Sequence, residues 1–212
     1  MNIRDKRIQY ETAGLDRHDL SDDPFAQFAQ WYAQADEAGI AEPHAMVVST
    51  VDADGMPDSR AVLARSMDAI GFTFFTNYES AKSAHLLKNP VAAALFPWFV
   101  LHRQVRLRGA IEKVSDAESD EYFASRPRGS QIGAWASLQS THLDSRETLE
   151  HRVELFEALF GEGEVPRPPH SGGWRIIPQS FEFWQGRPSR LHDRFTYTKQ
   201  QDGSWRIERL YP

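Results

Sequence analysis

The order of strand-like and helix-like segments constrains this chain more than any other feature. Short β-branched or aromatic runs come in groups, helical segments lie between the groups, and the two kinds do not alternate one by one. Ala45 to Val51 runs into the turn Asp52-Ala53-Asp54-Gly55, and Ser59 to Arg65 returns. This predicts a hairpin with a loop longer than two residues. Gly71 to Thr76, Val91 to Phe96 and Gln104 to Val114 read as three more strands. Trp174 to Ile177 leading into Phe181 to Trp184, then Arg194 to Lys199 and Ser204 to Leu210, complete the set, with Gln201-Asp202-Gly203 as the last turn. Such grouping predicts an α+β or β-barrel fold and not a parallel doubly wound sheet.

The helical segments carry their own punctuation. Asp22-Asp23-Pro24 supplies an Asp cap and Pro at the first helical position, and Phe25, Phe28, Tyr32 and Ala35 follow at helical spacing before Gly39. Ser80 to Lys88 predicts a short helix stopped by Asn89-Pro90. Ser115-Asp116-Ala117-Glu118 is a capping box for a helix ending near Ser125. Ser130 to Ser137 reads as helical again, and a longer helix from Asp144 sets Leu149, Val153, Phe156 and Phe160 on one face. Pro166 to Gly173 reads as a loop. Residues 1–20 are polar and aperiodic, which predicts an arm outside the core, followed by one domain over 21–212.

Composition removes several classes of function. The chain has 212 residues and no cysteine, so disulfides, thiol nucleophiles and Cys-type zinc sites are excluded. A pI of 5.7 argues against nucleic acid as the main partner. The longest apolar run, Val91 to Leu101, falls short of the roughly 20 residues a membrane helix needs, and Met1 to Tyr10 lacks a signal-peptide core. A cytoplasmic protein with no membrane partner is the expectation. The eight histidines show no metal-ligand spacing, and no nucleophile elbow, Gly-x-Gly-x-x-Gly or P-loop occurs. If the chain is an enzyme, its hard chemistry falls to an organic cofactor.

Arginine outnumbers lysine by 19 to 5, through genome bias or because its planar fork grips anions. Arg60 and Arg65 flank Ala61-Val62-Leu63-Ala64; their odd separation puts them on opposite faces of an ideal strand, as solvated ends or as anion contacts. Gln104 shares a strand face with Arg106 and Arg108; an amide donates and accepts at once, although a half-exposed strand has the same look. Tyr122 and Arg126 are one helical turn apart, and Ser130 sits by a predicted helix N-terminus, which makes either a phosphate cradle or an ordinary helix corner. The loop from Trp184 to Arg194 gathers three arginines and His192 around a Gly/Pro turn, more positive charge than a structural loop needs. Basic, phosphate-ready segments beside aromatic residues suit a phosphorylated ring system.

In series these motifs resemble the pyridoxine/pyridoxamine 5′-phosphate oxidase family over nearly the whole chain. The resemblance rests on Arg126-Pro127-Arg128-Gly129-Ser130-Gln131-Ile132-Gly133-Ala134-Trp135, Gln139-Ser140, Phe183-Trp184-Gln185-Gly186 and Arg190-Leu191-His192-Asp193-Arg194. It implies an FMN-binding split β-barrel, mainly β with flanking helices, in a homodimer with FMN at the subunit interface. It implies oxidation of pyridoxamine or pyridoxine 5′-phosphate to pyridoxal 5′-phosphate by O2, with hydrogen peroxide released. By the same resemblance FMN would touch Arg60, Ala61, Val62, Leu63, Ala64, Arg65, Phe75, Thr76, Lys82, Gln104, Gln139, Ser140, Trp184 and Arg194. Substrate would touch Arg65, Tyr122, Arg126, Ser130, Arg190, Leu191 and His192, with Arg190 and His192 as the catalytic pair and Arg7 and Tyr10 closing over it. The family usually has Lys where this chain has Arg65, and often Arg where it has Ala81. Related split-barrel oxidases or reductases, such as those of phenazine biosynthesis, and non-catalytic flavin or pyridoxal-phosphate binders are the alternatives.

Overall fold

A computed structural model describes residues 10–212. Its first helix, α1 (Pro24–Glu37), starts where the Asp23 carboxylate accepts from the Phe25 N–H at 3.0 Å, with Pro24 at a position that needs no donor. Nine strands follow in one antiparallel sheet: β1 (Ala45–Val51), β2 (Pro57–Leu63), β3 (Ser66–Met67), β4 (Phe72–Asn77), β5 (Val91–Trp98), β6 (Arg103–Lys113), β7 (Ser171–Gln185), β8 (Asp193–Lys199) and β9 (Trp205–Leu210). Between them lie α2 (Ala81–Lys88), α3 (Asp116–Ala124), α4 (Arg128–Ala136) and α5 (Arg146–Phe160).

The strand order is β2-β1-β5-β6-β7-β4-β3, with β8 also on β7 and β9 on β8. Strand β7 is the pivot. It pairs with β6 along its length, with β4 through Ser171–Ile176, and with β8 through Ser180–Gln185. One strand thus serves two different neighbours along its other edge, and the sheet splits there. The register of β6 on β7 slips between Arg108 and Gly109, a bulge that bends the pair. The sheet curls into a half-barrel, with β2 returning alongside β4.

Helix α1 fills the curl. Phe28 meets Phe72 and Phe96 with ring centroids 4.8 Å away in each case, and Trp31 stands edge-on to Phe183 at 5.2 Å. Burying each such ring contributes roughly 1.5–3 kcal/mol. A second, smaller cluster joins Phe123, Ile132 and Val165 with Trp135, Val153, Phe156 and Phe160, and it holds α3, α4 and α5 together.

The elements follow the sequence pattern closely, and the exceptions have physical reasons. Residues 10–20 are not outside the core: Leu15 and Leu20 are buried in the main cluster. Two leucines around a single 3-10 turn are too few to show periodicity in a polar segment. Helix α5 is capped by Ser145, whose hydroxyl accepts from the Thr148 N–H, one residue past Asp144. Among the described residues, no helix is long and apolar enough to cross a membrane.

Candidate active site

The predicted residues assemble into two clusters. The first lies where β2, β4 and α2 meet α3 and α4. Arg60, Ala61, Val62, Leu63, Arg65, Phe75, Thr76, Lys82, Tyr122 and Gln139 line a pocket of about 280 Å³. The parity argument for Arg60 and Arg65 therefore fails. Strand β2 ends at Leu63, Ala64 and Arg65 turn out of the ladder, and both arginines reach the same pocket. A neighbouring pocket of about 310 Å³ is lined by Arg126 and Ser130 together with Phe75, Thr76, Tyr122 and Gln139, so the two pockets share a wall. The Tyr122 and Phe75 rings stack in that wall at 3.8 Å, 10° from parallel.

The charges here are mostly positive: Arg60 is paired with Asp58, while Lys82, Arg65 and Arg126 have no carboxylate bonded to them among the described residues. Lys82 Nζ donates to Gln139 Oε1 at 2.9 Å, Thr76 Oγ1 at 3.1 Å and Ser80 Oγ at 3.3 Å, all neutral acceptors. Burial, and then the nearby Arg60 charge, push the amine below the ordinary lysine value. Arg65 and Arg126 make no ion pair among the described residues and instead lie over the Tyr122 and Phe123 rings. Ser130 stands in the first turn of α4, where the capping residue is Pro127 and no side chain caps the helix. This cluster is built to receive anions.

The second cluster lies at the far end of β7. Gln104 is paired with Trp184, and Trp184 with Arg194, across β6, β7 and β8. The Trp184 ring lies 4.6 Å from His192, and Tyr10 stacks on His102 at 4.1 Å with its edge toward Trp184. Arg190 and Leu191 are exposed, and Ser189 and Arg190 both adopt positive φ, 57° and 63°. His192 Nδ1 accepts from the Arg187 N–H at 3.0 Å, which leaves the neutral ring's proton on Nε2. Burial, then the Arg190 charge, lower its pKa from the ordinary histidine value.

Phe75 pairs with Gly173 and Gln104 with Trp184, so the clusters are separated by roughly 35 Å of β7 at about 3.3 Å per residue. Ser140 follows Gln139 with a φ of 73° but does not line either pocket, Ala64 lines a neighbouring one, and Arg7 lies outside the described residues.

Three residues that the motifs did not single out take part. Glu182 is buried and accepts from Arg194 Nε and Nη2, at 3.0 and 3.1 Å, and from Arg106 Nη2 at 2.5 Å. The Arg194 fork is therefore aligned by a carboxylate of its own sheet. A lone Glu inside Phe181-Glu182-Phe183-Trp184 was the available signal. Thr50 and His85, bonded to each other at 3.0 Å behind Arg60, left no local signal, because 35 residues separate them.

An antiparallel half-barrel that splits at one long strand, with helices on its flank, is the fold class of the split-barrel flavin proteins. The chain belongs to the pyridoxamine 5′-phosphate oxidase family, whose profile matches residues 32–160, and a second profile, the pyridoxine 5′-phosphate oxidase C-terminal dimerisation region, matches residues 172–212. It is 54% identical over 212 residues to the pyridoxine/pyridoxamine 5′-phosphate oxidase of Burkholderia multivorans, with 99% of each chain covered. It is 52% identical to the protein of that name from Cupriavidus necator, again with 99% of each covered. Among solved structures it resembles PhzG from Burkholderia lata in complex with tetrahydrophenazine-1-carboxylic acid, with a TM-score of 0.88, 30% identity, and 94% of this chain and 98% of that one covered.

Proposed function

We propose that this chain oxidises pyridoxamine 5′-phosphate, pyridoxine 5′-phosphate or both to pyridoxal 5′-phosphate, using FMN and O2, as a homodimer. The observation that carries this reading is the pair of adjoining cationic pockets. Two anion sites sharing an aromatic wall suit two phosphorylated ring compounds held side by side. The names of the Burkholderia and Cupriavidus relatives support the same substrates.

The residues present fit FMN. The half-buried Lys82 ammonium donates only to neutral acceptors among the described residues, and Asp58, the carboxylate near it, is engaged by Arg60, so with Arg65 alongside the pocket keeps positive charge for a phosphate. Thr76 and Gln139 would complete the phosphate end. Gln104, Trp184 and Arg194 lie too far along β7 to reach it within one chain, so they would come from the second copy, as the dimerisation-region match supports. The chemistry that bound FMN supplies is two-electron oxidation at the substrate C4′, with O2 as final acceptor and hydrogen peroxide as product.

The protein's own part is positioning. Arg126 and Ser130 bind the substrate phosphate, Arg126 through its two-pronged fork and Ser130 through its hydroxyl at the α4 N-terminus. Tyr122, its ring stacked on Phe75 in the shared wall, joins Arg126 and Ser130 at the substrate phosphate. His192 offers Nε2–H as a donor while Nδ1 is occupied by the Arg187 N–H, so in this arrangement it holds the pyridine ring and does not take a proton from it. Arg190, exposed on its left-handed turn, closes over the ring.

Purified protein mixed with FMN, O2 and either phosphorylated substrate will form pyridoxal 5′-phosphate and peroxide in equal amounts. Unphosphorylated pyridoxamine will be a far poorer substrate. No turnover of either phosphate ester by the FMN-loaded protein sinks the proposal. Equal kcat/KM with and without the phosphate would favour a phenazine-type oxidase, the reading to which the PhzG likeness points.

A further inference from the structure

Arg60 is held by a chain of side chains that lies behind the pocket and touches no ligand site itself. In the β1–β2 ladder Arg60 stands opposite Val48 and Asp58 opposite Thr50. Arg60 Nη1 donates to Val48 O at 3.1 Å and to Thr50 Oγ1 at 2.8 Å, and Nη2 donates to Asp58 Oδ2 at 2.5 Å. One Nη2 hydrogen and the Nε hydrogen remain for a ligand oxygen. Thr50 is 1% exposed, so its hydroxyl must be satisfied inside the protein. Having accepted from Arg60, it also shares a hydrogen bond with His85 Nδ1 at 3.0 Å, whose direction is set by the imidazole tautomer. His85 lies three residues after Lys82 on α2, so the chain ends on the helix that carries the other cation of the pocket.

We propose that Thr50 and His85 are positioning residues of the cofactor-phosphate site, holding the Arg60 guanidinium in the pocket wall beside Lys82. The inference rests on the FMN reading above. Two like charges on one pocket repel, and the Arg60 charge is among the causes that lower the Lys82 pKa. A long arginine side chain would relieve that repulsion by swinging into water, at a gain in rotamer entropy. The relay removes that freedom before the phosphate arrives, so the ordering cost is not charged against binding. Tying Arg60 on β2 through Thr50 on β1 to His85 on α2 also sets the spacing of the two cations with respect to each other.

The test is the affinity of the apoprotein for FMN and for riboflavin, followed by flavin fluorescence quenching. Thr50→Val and His85→Leu will weaken FMN about tenfold, or about 1.4 kcal/mol, and change riboflavin less than about twofold, because only the phosphate term depends on Arg60. His85→Gln, which keeps a hydrogen-bonding partner for Thr50, will restore FMN affinity to within about threefold of the parent. In an Arg60→Ala background Thr50→Val will cause no further loss. FMN affinities of both variants within twofold of the parent overturn the relay. So does an equal loss for FMN and riboflavin, which marks a merely structural role. If Thr50→Val does not fold, the half-buried His85→Leu decides alone. A parent protein with no preference for FMN over riboflavin overturns the reading of the pocket itself, and the relay with it.

Discussion

Arg126 follows Tyr122 by one helical turn, and its guanidinium lies 5.6 Å from the Phe123 ring with no carboxylate paired to it among the described residues. An arginine so placed is stabilised by aromatic contact but not neutralised, and it keeps its fork for an incoming anion. Arg126→Ala should raise KM for the phosphorylated substrate about a hundredfold, the value of one or two charge-assisted hydrogen bonds. FMN affinity should stay within about twofold, since Arg126 lines only the second pocket. Steady-state kinetics and FMN titration of the same variant check this. Loss of FMN with substrate affinity spared would mean that the two pockets have exchanged roles. Arg65 differs: it borders the first pocket, and its guanidinium is 6.0 Å from the centre of the Tyr122 ring.

Strand β7 is the element on which the site geometry depends. It carries β4 and the two arginine-lined pockets at one end, and β8 with the Trp184 cluster at the other. The bulge beside Gly109 lets one strand serve both. A Cβ at Gly109 would stand 1.9 Å from Ile177 O and 2.9 Å from Gln179 N, both backbone atoms with no freedom to give way. Gly109→Ala should therefore destabilise the fold by about 3 kcal/mol, a fall of about 10 °C in Tm for a chain of this size. Calorimetry measures it. A shift under about 2 °C would show that the strand pair slides freely at the bulge.

At the scale of the whole molecule, the proposed site draws on a second copy, because its two clusters lie at opposite ends of β7. That arrangement makes a prediction no single-chain site shares. Combine a Lys82→Ala chain, defective in the first cluster, with an Arg190→Ala chain, defective in the second. In a mixed dimer one site collects both defects and the other collects none. Random exchange makes half the dimers mixed, so activity should recover to about one quarter of the parent value. Each variant alone stays near its own low activity. Mixing that restores nothing would place a complete site within each chain.

The amino-acid sequence by itself determined most of the elements and the family to which the chain belongs. Period-2 and period-3.6 patterns, the Asp23 and Ser115 caps and the turns at Gly55 and Gly203 are local, and local physics decides them. Tyr122, Arg126 and Ser130 were legible for the same reason: a helix end and the next helix start lie within nine residues. Tertiary structure alone decided what spans the fold. Arg60 and Arg65, predicted on opposite faces, share a pocket because β2 ends between them. Leu15 and Leu20 are core residues in a polar segment. Glu182 aligns Arg194, and His85 reaches Arg60 through Thr50, across distances in sequence that no window covers. Hydrogen bonds and buried charges between distant segments are fixed by how the sheet curls, and the curl is a sum of packing over the whole chain.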